Sequence, residues 1–509
     1  MSKLFFGWSE ISITPDKKVS LLGQFAERIS EYVEKPLTAT ALAMEKDVDQ
    51  AVLVSCDLCQ ITVNLVEGIR AKLADNPLGL DPGKVSFNAI HTHTGPGYPS
   101  APAEKNSVSN LFYSLRSILA DFLAPGQKYV EAVNVSDNPD IATEQEIYDL
   151  LVERLSQVIL DAWKNRQPGS FSNAFGRAVV GQCRRAAYSD NTAQMWGDTN
   201  TAVFEALEGG NDSGLELLYI YNKDGKLTGV VANTACPAQC VQYRHFVSPD
   251  FWGEVKLLLR NHFGPDLYLL PQCSIAGDQC PVDLVRWVQP ESDLNDPNCT
   301  RTNPPKRKAD PSMFDLAGMR KAGKRVANEI IEVWNEGVDA PQTDPVFEHR
   351  VLNLQLPVRR ATLADQEKAR QGIKDYLRDK NGADLDYMDL GRLQVHLGVL
   401  GRAKQQEVCD IQDSEVHIIR LGTIAIATNP YEPFLDYGNQ IKARSAAEQT
   451  FLVQLANDSQ GYIPTAKAEV HGHYSAFISS GRVGHLAGEQ LVRETLQNIR
   501  QMFADEQGK

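Results

Sequence analysis

The chain has 509 residues, of which 42% are hydrophobic and 23% charged, the balance of an ordinary soluble globular protein. That length holds roughly two to four average domains or one large enzyme domain with insertions. A formal net charge of -14 argues against nucleic acid and anionic membrane as main partners, because both need a basic face. The basic run 304–310 (PPKRKAD) reads as a solvated loop. No window approaches a membrane span, and the opening MSKLFFGWSEISITP lacks the long apolar core of a signal peptide, so the expected location is cytoplasmic. The nine cysteines (56, 59, 183, 236, 240, 273, 280, 299 and 409) are odd in number and scattered, which fits reduced thiols rather than a disulfide framework.

In chain order, 38–46 and 51–56 read as strands around a turn at 47–50, and 63–75 has helical spacing. Val85–Ile90 is an apolar strand closed by Gly95-Pro96-Gly97. This β-turn-β-α-β order predicts an α/β core with mixed sheets and flanking helices. The polar stretch 98–140 reads as a long loop or lid, although Leu111, Phe112, Leu115, Leu119, Phe122 and Leu123 within it fall at helical spacing. An amphipathic helix is expected over 145–165 and short strands around 174–188. A hairpin over 215–233 turns at Asp224-Gly225. Further on come a helix over 252–263, a strand over 267–270, a loop over 289–311 and a long helix over 313–336. The remainder reads as a strand over 346–358, a charged helix over 363–379, a hairpin over 416–427, a strand over 451–456 and a closing helix over 488–503. With no repeat and no low-complexity linker, one interleaved domain is the simplest organisation.

The chemistry is concentrated where strands end. His91 and His93 stand two apart after an apolar strand, so both imidazoles can converge on one point, and neutral imidazole suits zinc and similar ions. Their plainer reading is two polar residues closing a strand. Asp57 ends the strand over 51–56, where ligands bind in α/β sheets, while Cys56-x-x-Cys59 reads as structural because no second such pair exists. Polar clusters follow at 233–240 (NTACPAQC), 272–281 (QCSIAGDQCP), 429–433 (NPYEP) and 457–465 (NDSQGYIPT), the last followed by His471-Gly472-His473-Tyr474. Each alone is more often a turn, but together they offer a nitrogen and oxygen shell with an open position. Cys280 would act as a nucleophile only with a depressed pKa.

These motifs resemble the catalytic domain of the neutral/alkaline ceramidases along nearly the whole chain. Ser12-Ile13-Thr14-Pro15 with Gly23 and Arg28 is similar to that family's opening, and His91–Gly97 (HTHTGPG) to its most specific motif. Cys183-Arg184-Arg185 with Tyr188 resembles its arginine segment, Gly277–Pro281 its glycine-acid-x-Ser-Pro loop, Asn429–Pro433 its Pro-Gly-Glu stretch and Asn457–Thr465 its tyrosine stretch. The resemblance implies Zn²⁺ or another divalent ion held by His91, Glu432 and Tyr462. It gives catalytic roles to His93, Arg184, Asp278, Cys280 and Tyr462, and substrate contacts to Arg185, Tyr188 and Gln239. It implies a hydrolase in which water on the metal attacks an amide or similar bond. Three departures stand out: no histidine occupies Ala235–Gln239, leaving Cys236, Gln239 or His245 as the alternatives, Cys280 replaces the usual serine, and no C-terminal immunoglobulin-like domain is expected. The negative balance, the absence of a leader, the polar stretch 98–140 and the pair Arg184 and Arg185 point to a small polar substrate rather than a membrane lipid, with a carbohydrate-acting hydrolase or lyase and, from the missing histidine, a non-catalytic binding protein as the other readings, and homo-oligomerisation left open.

Overall fold

A computed structural model of the protein describes residues 3–24, 28–99, 109–130, 138–285 and 314–504. The loop expected over 289–311, the basic run 304–310, Cys299 and the side chains of Leu111 and Phe112 lie outside the described residues.

The strands expected from sequence form, and two sheets carry most of them. The larger has eight strands in the order Tyr268–Cys273, Leu227–Thr234, Gly214–Asn222, Gln167–Arg177, Phe5–Ser12, Thr38–Lys46, Asp49–Cys56, Val85–Ala89. The second has four, in the order Phe347–Pro357, Ile411–Leu421, Ile424–Thr428, Gln449–Val453. Successive side chains on each strand feed different cores, as the two-residue period requires. Leu42, Leu53, Leu218 and Val231 of the first sheet meet Ile419, Ile424, Ile426 and Phe451 of the second in one apolar layer. Ala41, Val54 and Phe87 face instead helices Val63–Leu73 and Glu144–Lys164. Tyr219, Val230 and Ala232 face helices Phe251–Phe263 and Asp315–Glu336. Ile418, Ala427 and Leu452 face helices Leu435–Arg444 and His485–Phe503. The result is helix, sheet, sheet, helix. Both faces of both sheets are covered, which is why so many strands read as unbroken apolar runs.

Two parallel pairs place the site. Asp49–Cys56 runs beside Val85–Ala89, and Leu227–Thr234 beside Tyr268–Cys273. The sheet curls so that Ser55 Oγ donates to Pro271 O at 2.5 Å, and Asn88 Nδ2 donates to the same oxygen at 3.2 Å. The C-terminal ends of all four strands therefore converge, as do the loops that leave them.

Three expectations change. Phe5–Ser12 is a strand inside the large sheet, not merely a non-signal opening. The stretch over 98–140 is not simply a loop: Ser109–Ala120 is a helix, and Leu115 and Leu119 are buried as their spacing implied. Tyr387–Gln405, unassigned from sequence, is a helix of 19 residues with a capping box between Asp386 and Asp389. It packs with Ser109–Ala120 and Leu363–Asp379 into a separate helical cap with its own apolar core. No described helix is long and apolar enough to cross a membrane.

Candidate metal centre

His91 leaves the strand in a left-handed conformation (φ +67°), which a non-glycine residue adopts only when its surroundings insist. They do: His91 N–H donates to Leu58 O at 3.0 Å, and ring Nδ1 lies 2.6 Å from Cys59 O. A carbonyl only accepts, so Nδ1 carries the proton and the Nε2 lone pair points the other way. There it meets Glu432 Oε1 at 3.3 Å and His93 Nε2 at 3.3 Å. Two ligand atoms on one tetrahedral ion at about 2.0–2.1 Å would themselves stand roughly 3.3–3.4 Å apart, so the separation of His91 Nε2 from Glu432 suits a shared cation, while His93 Nε2 also lies 3.0 Å from the Gln239 amide nitrogen. Burial alone would lower the His91 pKa, but the Glu432 carboxylate and Cys59 override it and raise it well above the usual imidazole value. The pocket is built for positive charge at Nε2.

His93 is its opposite. Burial, then His91, Arg28 and Arg184, hold it well below the usual value, so it stays neutral. Gln24 Nε2 lies 3.3 Å from its Nδ1 and Gln239 Nε2 3.0 Å from its Nε2. Gly23, at φ +104°, lies flat against the ring; a Cβ there would stand 2.4 Å from His93 Cγ. Arg28 is buried beneath, donating to His93 O at 2.6 Å and Leu22 O at 3.0 Å, and burial lowers it to about 10.

Glu432 sits on a two-residue strand paired in parallel with Tyr462. Gly277 backs this strand, because a Cβ there would lie 2.1 Å from Glu432 O. Burial, then Glu432 and Tyr474, push the Tyr462 phenol well above its usual value, and its hydroxyl stands 3.5 Å from that of Tyr474. The Arg184 guanidinium lies 5.4 Å from the Tyr462 ring centre and 6.0 Å from that of Tyr474, and donates to Gly277 O at 2.7 Å. Its Nε is buried with no partner among the described residues. His91, His93, Glu432, Tyr462 and Tyr474 line one cavity of about 440 Å³, roofed by Arg392 and Gln394 of the capping helix.

The other residues named from sequence lie elsewhere. Arg185 is committed to Glu208, Tyr474 O and Gly472 O. Tyr188 OH donates to Asp198 O at 3.2 Å. Asp278 Oδ1 accepts from Leu435 N–H at 2.8 Å, and its carbonyl accepts from Arg184 N–H at 2.9 Å, so it braces the loop beneath Arg184. The Cys280 thiol, pushed up to about 12 by burial, belongs to an apolar cluster with Val282, Leu284 and Phe314. Cys236 is buried and its thiol donates to Pro237 O at 3.5 Å, while half-buried His245 offers its carbonyl to Glu31 N–H. Of the three alternatives for the absent histidine, only Gln239 reaches the imidazole pair. Sequence reasoning missed Gln24 and the capping helix, and set Cys59 aside as structural. Cys59, His91 and His93 place ligand atoms within 4.8 Å of one another, with the sulfur 3.8 Å from His91 Nδ1.

Neither any family model nor any curated protein matches the chain. Solved structures do. The neutral ceramidase from Pseudomonas aeruginosa matches at a TM-score of 0.67 and 16% identity, over 99% of this chain and 75% of that one. The chain has the neutral ceramidase fold. A ceramidase complexed with C2 matches at 0.65 and 16%, over 98% and 76%. At that identity the ceramidase likeness carries the architecture, and the chemistry has to be argued from the residues of this chain.

Proposed function

We propose that the protein is a metal-dependent hydrolase of the ceramidase-like superfamily, acting on an amide or similar polar bond in a small polar substrate. One observation carries the reading: His91, its Nδ1 tied to a carbonyl, aims Nε2 at Glu432 inside a cavity large enough for a small molecule. His91 and Glu432 would hold the ion, with Tyr462 beside Glu432 as a third ligand and Gln239 where the resemblance expects a histidine. The donor set of nitrogen and oxygen suits Zn²⁺ first and admits other divalent ions. When bound, such an ion lowers the pKa of water and polarises a carbonyl. Neutral His93 is the group to accept a proton and return it to the leaving group. Arg184, held over the rings of Tyr462 and Tyr474, keeps positive charge behind the two tyrosines that line the cavity. Gln24, Gln394 and Arg392 put polar groups on the cavity wall for a polar substrate, beside an apolar side formed by Leu22, Val395 and Phe477.

A second reading, binding without turnover, is favoured by the amide of Gln239 in place of an imidazole. Elemental analysis of protein purified without chelator, followed by fluorescent ceramide assayed beside polar amides and glycosides, separates the readings. We expect stoichiometric divalent metal and faster cleavage of a polar amide. Absence of metal overturns the hydrolase reading, and efficient cleavage of ceramide alone overturns the substrate class.

A further inference from the structure

The cavity at the metal centre has two unlike sides. Leu22, Val395 and Phe477 make one apolar, and Gln24, Gln394 and Arg392 make the other polar. Its full charges are few. Among the described residues Glu432 is the one carboxylate that lines it, and it faces His91 Nε2 at 3.3 Å. Arg392 is the one lysine or arginine among them that does so. Arg28 and Arg184 do not line the cavity, and Arg185 is held by Glu208.

Arg392 is exposed, and no carboxylate of the described residues forms an ion pair with it; it bonds the Tyr376 hydroxyl. The acids that act on it from farther off are already engaged. Asp389 meets Lys380 Nζ at 2.6 Å and accepts from Tyr376 OH at 2.5 Å, and Asp386 accepts from Asp389 N–H at 3.0 Å. A guanidinium has five donors, so one bond to a phenol leaves the fork open to a planar anion. The helix that carries it is docked in place. Arg402 on the same helix donates to Gly481 O at 2.7 Å, and a Cβ on Gly398 would stand 2.3 Å from Ser479 Cβ. Ser479 lines the same cavity, so helix Tyr387–Gln405 holds Arg392 at a set place above Glu432. An apolar side, a metal-binding wall and a guanidinium without a carboxylate call for a molecule of three parts. Building on the hydrolase reading above, we propose that the substrate is an N-acyl amino acid. Its apolar acyl group lies on Leu22, Val395 and Phe477, its amide carbonyl beside His91 and Glu432, and its carboxylate on Arg392. Hydrolysis forms a C–O bond from water to the acyl carbon, breaks the C–N bond and moves a water proton to the amine nitrogen, giving a carboxylic acid and a free amino acid.

Two probes of one shape test it. N-benzoylglycine carries the carboxylate, and N-benzoylglycinamide replaces it with a neutral amide of the same size. Full-length protein purified without chelator is assayed with each, following release of benzoate. We expect kcat/KM for N-benzoylglycine to exceed that for the amide by about tenfold or more, the scale of a charge-assisted hydrogen bond. Arg392→Ala should cost the carboxylate about tenfold more than the amide, mostly in KM, and Arg392→Lys should recover part of that loss. Arg392→Glu should reverse the preference, because the like charge then repels the carboxylate. Cleavage of neither compound would overturn the hydrolase reading and this proposal together. Equal cleavage of both, or an Arg392→Ala variant that weakens both alike, would overturn this proposal alone.

Discussion

The molecule contains two buried histidine pairs of similar spacing and opposite character. The His91 and His93 rings are 4.8 Å apart at the large sheet's end, and His349 and His417 are 5.0 Å apart on the second sheet. In the second pair every ring nitrogen has a short partner. His349 Nδ1 is 2.7 Å from Gln50 O, its Nε2 is 2.9 Å from His417 Nδ1, and His417 Nε2 is 2.8 Å from both Glu415 and the Asn457 amide. Arg70 closes on Glu415 with two bonds of 2.8 and 2.7 Å. Burial holds both of these imidazoles below the usual value, and nothing is left for a ligand. In the first pair, Nε2 of His91 faces a carboxylate and another imidazole at 3.3 Å each, beside an open cavity. A saturated network is fold; lone pairs converging on a space are a site.

The strongest test breaks one pair at a time. His91→Ala should remove bound metal and abolish turnover, while His417→Ala should keep metal and cost about 2–4 kcal/mol of stability, the scale for a buried side chain removed from a hydrogen-bonded network. Elemental analysis and denaturant unfolding read the two effects. His93→Ala should keep metal and lose about 10²–10⁴ in rate. Equal metal loss in the His91 and His93 variants would put both rings on the ion.

Why one pair was legible and the other was not follows from the geometry. His-x-His is a local signal, because alternate residues on a strand share a face. His349 and His417 are 68 residues apart and meet only through the register that pairs His349 with Ile419, which no local pattern announces. The same holds within the site. Strand ends with polar clusters located His91, Glu432 and Tyr462, but Gln24 and the helix Tyr387–Gln405 reach the cavity by tertiary packing. That helix carries interior glycines at 391, 398 and 401 and apolar residues spread around its circumference, so its period was faint. Arg185 shows the reverse failure: adjacent to Arg184 in sequence, it points to the opposite side of its strand and is spent on Glu208.

Gln239 offers a way to sharpen the metal side. Its amide nitrogen is 3.0 Å from His93 Nε2, so an imidazole there would join the same group. Gln239→His should raise zinc affinity by about tenfold or more, read by competition with a chromogenic chelator. Unchanged affinity would mean that position 239 does not face the ion.

The saturated pair makes its own prediction with pH. Burial raises Glu415, but the Arg70 and His417 hydrogen bonds override it and hold the carboxyl well below its ordinary value of 4.5. His349 and His417 lie below 6.5. All three shifts have one sign. As pH falls through about 6.5 the unfolded chain takes up imidazole protons that the folded chain refuses, and below about 4.5 it takes one on Glu415 as well. Stability present at neutral pH is therefore lost on acidification, beginning near 6.5 and steepening below 4.5. Glu415→Gln should cost about 1–3 kcal/mol at pH 7, the range for a lost charged hydrogen bond, and its stability curve should flatten below 4.5 relative to wild type. Parallel curves from thermal melts across that range would show that Glu415 does not carry the effect.

The smallest effect is expected at Cys280. The thiol is fully buried, its pKa is pushed up to about 12, and its sulfur donates to Val282 O at 3.5 Å. It does not line the metal cavity, and a nucleophilic thiol needs both a lowered pKa and a base beside it. The partner of its thiol is a backbone carbonyl, which cannot serve as that base. Cys280→Ser replaces sulfur with a hydroxyl that can make the same bond to Val282, so activity should stay within about threefold of wild type. The residual cost is that of a more polar atom in an apolar cluster, and it should show in the melting temperature before it shows in rate. An acyl adduct on Cys280 detected by mass spectrometry after incubation with substrate would reverse this assignment, moving the chemistry from water at the histidine pair to the sulfur.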